Sequence, residues 1–319
     1  FPLRLRLCCF IFPVGLRSDH YDYQFHRQET MGKAPVLKDD TPMKRIRTVI
    51  YYAVLIVAGI ITLFPFLWML LNSFNSEGNI FSVPPKFIPD LLGTKQAFDN
   101  YLRIFKEFHW GRYTLNSFIV AGSSAIGQLF TCSLAGFVFA TMRFRGKNLI
   151  FALLLGTMMV PIQSTIIPEF LIMMKLGWLD SYLPMIVPSA LVGSFGSFLF
   201  KEYYENIPPE FIDASSIDGA GPFNIYSKVY LPMSSSQIAT LLIISFMNNW
   251  NDLLRPILYI SSDKWQTVTQ ALTQFQSQYS AKWNLILTGS VLSVLPILIL
   301  YIFMQKYIIE SSISSGVKG

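Results

Sequence analysis

From Thr48 onward the chain alternates long apolar runs with short polar stretches. A helix crossing the hydrocarbon of a bilayer needs about 20 predominantly apolar residues. The runs at about 48–74, 113–142, 149–174, 182–200, 237–260 and 284–304 meet that length and predict six transmembrane helices. The fold expected is an all-α membrane protein, because in lipid only helices and closed barrels satisfy every backbone group internally. Small residues recur four apart in the second run, Ser123 with Gly127 and Cys132 with Gly136. That spacing lets helix backbones approach closely where no hydrophobic force drives association. The third run holds Pro161, Gln163, Pro168 and Glu169, and the fourth Pro184, Pro188, Gly193 and Gly196.

The longest polar interruption after the first two runs lies at 201–236, between spans four and five. Pro208 and Pro209 suit the first turn of a helix, where the missing amide would go unbonded anyway. Ile207, Phe211, Ala214 and Ser215 then recur at helical spacing, predicting one low, apolar face. Gly219 is placed to end that helix, Pro222 to open a second, and Leu231-Pro232 to close it. Two short helices joined at a glycine form a knob shaped for a socket on another protein.

The order Asp213-Ala214, Asp218-Gly219-Ala220, Leu231-Pro232 resembles the "EAA" loop of permease subunits in binding-protein-dependent ABC importers, of the carbohydrate type similar to the maltose transporter's smaller permease. The resemblance covers roughly Lys44 to Gly319, and the Trp250-Asn251-Asp252 element and closing Gly316-Val317-Lys318-Gly319 belong to it. The leading glutamate of the family is Asp213 here, Ser215 stands where a second alanine is common, and Ser236 replaces a usual proline. The resemblance implies that 201–236 is a cytoplasmic coupling loop seated in a cleft of an ATPase subunit, through Phe211, Asp213, Ala214, Ser215, Asp218, Gly219, Ala220, Leu231 and Pro232. It also implies a second permease subunit in a heterodimer, two ATP-binding cassette ATPase subunits that hold ATP-Mg, an extracytoplasmic solute-binding protein and a carbohydrate cargo. The location implied is a bacterial inner membrane.

Composition agrees with lipid as the main solvent. Hydrophobic residues make up 52% of the 319 and charged residues 14%, against about 25% charged in soluble domains. The net charge of +6 sits in loops rather than on a nucleic-acid face. Lys44, Arg45 and Arg47 precede the first span, and Arg143, Arg145 and Lys147 fill a short turn. Cations so placed stay on the cytoplasmic side, so six spans leave both termini inside and Trp110, Trp178, Trp265 and Trp283 outside, with Trp110 and Tyr113 read as an aromatic anchor at the interface. Residues 1–47 read as a cytoplasmic segment, 48–308 as the permease domain and 309–319 as a cytoplasmic tail. Residues 1–30 read as an upstream extension with Met31 or Met43 as the start, or else as a basic tail on the membrane surface.

Candidate chemistry is sparse. Cys8, Cys9 and Cys132 have neither disulfide nor zinc spacing, and His20, His26 and His109 form no catalytic or metal group. No GxxxxGK[ST] phosphate loop occurs in the chain, so any ATP is hydrolysed elsewhere, and no enzyme or resident cofactor is expected. In the fifth span Ser245, Asn248, Asp252 and Arg255 fall three and four apart, beside Asn249. Such a stripe cannot face hydrocarbon cheaply. It either lines a translocation pathway or forms an internal seam containing an Asp252–Arg255 pair, and Glu169, near the outer end of the third run, is either a further pathway residue or a carboxylate solvated at the interface. An ion-coupled carrier working as a single polypeptide, with Glu169, Asp252 and Arg255 as coupling charges, is the alternative function.

Overall fold

The computed structural model describes residues 42–76, 80, 89–94, 96–278 and 282–316, with side chains described between 46 and 305 except at 275–278. The readings of residues 1–30 and of Val317-Lys318-Gly319 fall outside these positions. Contacts divide the chain into two units, Phe1–Ala58 and Gly59–Gly319. Within the first, the described residues form the opening turns of α1 (Pro42–Asn72), where Val49, Ile56 and their neighbours are exposed. An all-apolar surface of this kind suits lipid.

Within the second unit α1 runs to Asn72 and is followed by a short helix α2 (Asp99–Glu107). The long α3 (Trp110–Thr141) comes next. Then α4 (Lys147–Gly156) and α5 (Ile162–Lys175) occupy the third apolar run, and α6 (Leu183–Ala190) with α7 (Ser194–Tyr204) the fourth. The polar interruption contains α8 (Glu210–Ile217), α9 (Pro222–Ile225) and, after a π-turn at Tyr226–Tyr230, α10 (Leu231–Met233). The remainder comprises α11 (Ser235–Trp250), α12 (Leu254–Tyr259), α13 (Val268–Gln278) and α14 (Trp283–Gly316). No strand occurs among the described residues.

By length and composition, 46–72, α3, the stretch Leu183–Tyr204 and 283–305 can each cross a membrane. Two bent pairs raise the number to six if each is one span: α4 with α5 at 103°, and Pro222–Met233 with α11 at 81°. The third run is therefore not one straight helix. Pro161 lacks an amide and adopts extended backbone angles, so the helix stops after a 3-10 turn at Thr157–Met159 and restarts at Ile162. The second bend falls at Ser234, three residues after Leu231; Pro232 lies inside the last turn rather than closing the helix before it.

Helix α3 is the axis of the second unit, packing on α6, α7 and α11. Its small residues explain how. A Cβ added at Gly127 would lie 2.5 Å from Ala190 Cβ, and one at Gly136 2.5 Å from Phe200 Cβ and 2.9 Å from the Lys201 nitrogen. One added at Gly196 would lie 2.8 Å from Cys132 Sγ. Glycines on both faces of the seam thus let α3 and α7 meet almost backbone to backbone. Cys132 is a buried packing residue there, its thiol donating to the Gly193 carbonyl at 3.4 Å. Ser123, expected at this seam, is exposed, and its neighbour Ser124 is buried instead.

The cluster beneath the seam joins Phe137, Phe200, Tyr204, Tyr226, Tyr230 and Leu241. A second unites Trp110, Tyr113, Ile104, Val268 and Leu285 near the opposite ends of α3 and α14. Trp110 is thus 1% exposed, a core residue and not the interfacial anchor its position suggested. Substituting Leu at Gly136 must force Phe200 and the α7 backbone away, at a cost of about 1–3 kcal/mol or more. We expect Gly136→Leu to lower the melting temperature of the detergent-solubilised protein, read by size exclusion after heating. Gly122→Ala, where an added Cβ meets nothing within 4 Å, should not lower it, since nothing is displaced and alanine favours the helix over glycine.

Candidate functional site

Two regions carry the candidate residues. The first is a cleft of about 440 Å³ lined by Ser245, Asn248, Asn249, Asp252 and Arg255 from the fifth run. Its facing wall holds Gln128 of α3 and residues between Pro188, in the last turn of α6, and Gly193, just before α7. The fifth-run residues expected to share a pathway therefore line one cleft, but not as one helix face, and Glu169 is not among the lining residues. Helix α11 ends at Trp250, and Asp252 starts the next helix: its Oδ1 accepts from the amides of Leu254 at 3.1 Å and Arg255 at 3.3 Å. A short acidic side chain competes with the backbone in this way and favours a cap over a helix interior.

The chemistry of the cleft centres on Arg255. Its Nε donates to Glu169 Oε1 at 3.2 Å across to α5, and its Nη1 lies 3.6 Å from Asp252 Oδ2. Nη1 also donates to Ser189 Oγ at 3.4 Å. Each of the three charged side chains is at most 20% exposed. One guanidinium so placed ties α5, the α6–α7 wall and α12 together. The Asp252–Arg255 pair was legible in the sequence; the Glu169 partner, 86 positions away, was not.

The neutral groups are arranged differently. Ser245 Oγ is buried without a partner. Neither the Gln128 nor the Asn248 side-chain amide makes a hydrogen bond within the described residues, and both line the cleft. Asn249 donates to the Ser245 carbonyl at 2.8 Å. Unmet donors and acceptors at a cleft wall are what a polar ligand or water requires. Gln128 and Ser189 were not singled out from the sequence; the signal available was a lone amide within an apolar run.

Just beyond α12, Asp180 clasps the turn that follows. Its Oδ1 accepts from the Ser262 amide at 2.8 Å, the Ser262 hydroxyl at 2.9 Å and the Ser261 amide at 3.1 Å. The Ser262 amide bond holds this carboxyl below the ordinary carboxylate range. A depressed acid contributes at neutral pH and lets go only as pH falls through its lowered value.

The second region is the polar interruption, whose halves differ. The base is anchored: Tyr226 and Ser133 hydroxyls meet at 2.8 Å, and Tyr203 donates to the Met233 carbonyl at 2.6 Å. Ala220 and Leu231 pack on the buried cluster with Ile212. Helix α8 has no fully buried residue. Phe211, Asp213, Ala214, Asp218 and Gly219 are exposed, as are Ile217 at 86% and Phe223. Gly219 has φ +77°, the left-handed turn expected of it, and Pro222 opens α9. Ser215 bonds back to the Phe211 carbonyl, and Pro232 is exposed. Ile207 is buried in the cluster and so not on the projecting face. Asp213 in the first turn complements the α8 dipole. Ile217 and Phe223, which the sequence reading did not mark as contacts, are the most projecting apolar side chains here.

Comparison with known proteins follows the same lines. The family model for the binding-protein-dependent transport system inner membrane component matches residues 133–311. The arabinooligosaccharides transport system permease protein of Bacillus subtilis is 29% identical, covering 86% of this chain and 96% of its own. The diacetylchitobiose uptake system permease protein of Streptomyces coelicolor is 31% identical, covering 84% and 87%. A crystal structure of a bacterial ABC transporter importing the acidic polysaccharide alginate shares the fold, with a TM-score of 0.72 at 21% identity over 84% of this chain and 98% of that one.

Removing Arg255 leaves Glu169 and Asp252 without the cation between them, a change usually worth several kcal/mol when groups are buried and less at partial exposure. Arg255→Leu is expected to lower the melting temperature of the purified protein clearly more than Glu169→Gln, which keeps a hydrogen-bond acceptor for Arg255. Differential scanning fluorimetry in detergent checks the order.

Proposed function

The chain belongs to the family of binding-protein-dependent transport system inner membrane components, and from that premise we propose that it forms half of the transmembrane pathway of an ABC importer for a neutral or acidic saccharide. It is a multi-pass membrane transport subunit and not an enzyme. The other half would be a second, different permease. Solute would arrive from an extracytoplasmic binding protein, and two ATPase subunits carrying ATP-Mg would supply the energy. A carbohydrate cargo is favoured by the names of its relatives, which are permeases for arabinooligosaccharides and diacetylchitobiose.

One observation carries this reading: α8 projects Phe211 and Ile217 from a base that is fixed by tyrosines to α3 and α7. A rigidly rooted knob with an apolar tip transmits force to a partner; a flexible loop would not. On the cytoplasmic side, which the cations before α1 and α4 favour, its socket would be the ATPase. Closure of two ATPase subunits would draw the knobs of both permeases together and reverse the side on which the pathway opens. The cleft at Gln128, Ser245, Asn248 and Asp252 would then be this subunit's share of the pathway. The ion-coupled carrier uses Glu169, Asp252 and Arg255 but gives α8 no task, and family membership favours the importer.

The knob is tested with Ile217→Asp in the full complex. An apolar anchor at an interface contributes about 2 kcal/mol or more, so solute-stimulated ATP hydrolysis should fall at least tenfold while the membrane level of the subunit stays unchanged. Normal coupling in that variant would remove α8 from the mechanism. Asp252→Ala tests the cleft: uptake should drop while basal ATP hydrolysis persists. Dissociation of the complex would mean instead that these charges form only an internal seam.

A further inference from the structure

Charged and neutral groups in the cleft are used in opposite ways. The guanidinium of Arg255 is held between two carboxylates, Glu169 at 3.2 Å and Asp252 at 3.6 Å, and also bonds Ser189. Asp252 and Arg255 are the charged residues lining the cleft among the described residues, and Glu169 adjoins it through Arg255. Two carboxylates against one guanidinium leave a formal excess of one negative charge. The groups that lack partners are uncharged: Ser245 Oγ and the amides of Gln128 and Asn248. The charge of the cation is thus offset by two carboxylates, whereas the amides of Gln128 and Asn248 are free for a ligand that both donates and accepts.

Resting on the reading of this cleft as part of the pathway, we propose that the Glu169–Arg255–Asp252 triad is a charge filter that passes uncharged, hydroxyl-rich saccharides and turns back anionic ones, with Glu169 setting its sign. Asp252 is committed by its second oxygen to capping α12, so it forms with Arg255 a local pair that is neutral by itself. Glu169 arrives from α5 and supplies the surplus charge. In a partly desolvated cleft one unbalanced charge is felt strongly over several ångströms, because the effective dielectric is well below that of water. A uronate or phosphate would meet repulsion with no free cation to offset it. A neutral sugar would meet the amides and Ser245.

The filter can be measured without knowing the cargo. In the full complex, reconstituted with its ATPase and partner permease, Asn248→Cys is treated with methanethiosulfonate reagents of matched size. One is anionic (sulfonatoethyl), one neutral (hydroxyethyl) and one cationic (trimethylammonioethyl). Each rate is divided by that reagent's rate with a free thiol, and the complex retaining Asn248 gives the background from native cysteines. The anionic reagent is expected to react about fivefold more slowly than the neutral one, and the cationic reagent about as much faster, as one unbalanced charge at this range dictates. Adding Glu169→Gln should bring the three rates within about twofold of one another. Equal rates, or a faster anion, in the chain with Glu169 would overturn the filter while leaving the pathway reading standing. A bias that survives Glu169→Gln would overturn the role of Glu169. Failure of all three reagents, with and without ATP, would show a cleft closed to water and sink both readings together.

Discussion

The architecture depends on how closely α3 can approach α7. At Gly136 and Gly196 the helices lie so near that an added Cβ would fall within 3 Å of side-chain or backbone atoms of the partner. In lipid no hydrophobic gain pulls helices together, so such contact supplies the dispersion that association needs. Two structures hang from this seam. At one end Phe137, Tyr204, Tyr226 and Tyr230 form the aromatic cluster that roots the projecting helix pair. Farther along, Gln128 and Gly193 touch and form a wall of the polar cleft. Wider spacing would loosen the first and open the second.

Polar groups within the spans follow one rule: charges are paired and kept from lipid, and amides knit the loops. Asn100 donates to the carbonyls of Ser73 and Asn75 and accepts from Asn284, fastening α2 to α14. Asn116 donates to the Lys264 and Gln266 carbonyls and accepts from Tyr182, fastening α3 to the segment before α13. The Asn100 and Asn116 amides are satisfied on both sides and structural. Against that background the unbonded amides of Gln128 and Asn248 stand apart, because they line a cleft instead of closing a joint.

Much of this was legible in the sequence because apolar runs longer than a bilayer is thick have few other uses. The left-handed Gly219 and the opening at Pro222 were equally legible, each following from a backbone property of one residue. What escaped was set by tertiary context. The stripe Ser245 to Arg255 reads as continuous helix by spacing alone, yet Asp252 prefers to cap α12, and the residues converge only because the chain breaks there. Helices α2 and α13 lie in stretches too short and too polar to register as spans. Trp110 looked interfacial because aromatics at span ends usually are, but Leu285, Val268 and Ile104 enclose it. Glu169 could be marked as unusual, but no local pattern could name Arg255 as its partner.

The cleft and the projecting helices share their supports, which bears on how a push at one is felt at the other. Leu241 of α11 belongs to the aromatic cluster, and Ser245, one turn farther along the same helix, lines the cleft. Phe200 of α7 belongs to the cluster, and Gly193, just before that helix begins, lines the cleft. In α3 the two roles fall to Phe137 and Gln128. Packed interiors yield little, so a displacement of the tyrosine-rooted base is carried by these helices as rigid rods and not absorbed between them. The helical ladder is interrupted elsewhere, at the 103° break around Pro161 and in the non-helical segment from Asn251 to Leu253. The second break contains Asp252, whose ion pair with Arg255, together with the Arg255–Glu169 pair, joins the α5 side to the α12 side. A displacement of the α8 base is therefore expected to reach α3 first, at Ser133 and Phe137, and to be relieved at the chain breaks and not within the packed helices.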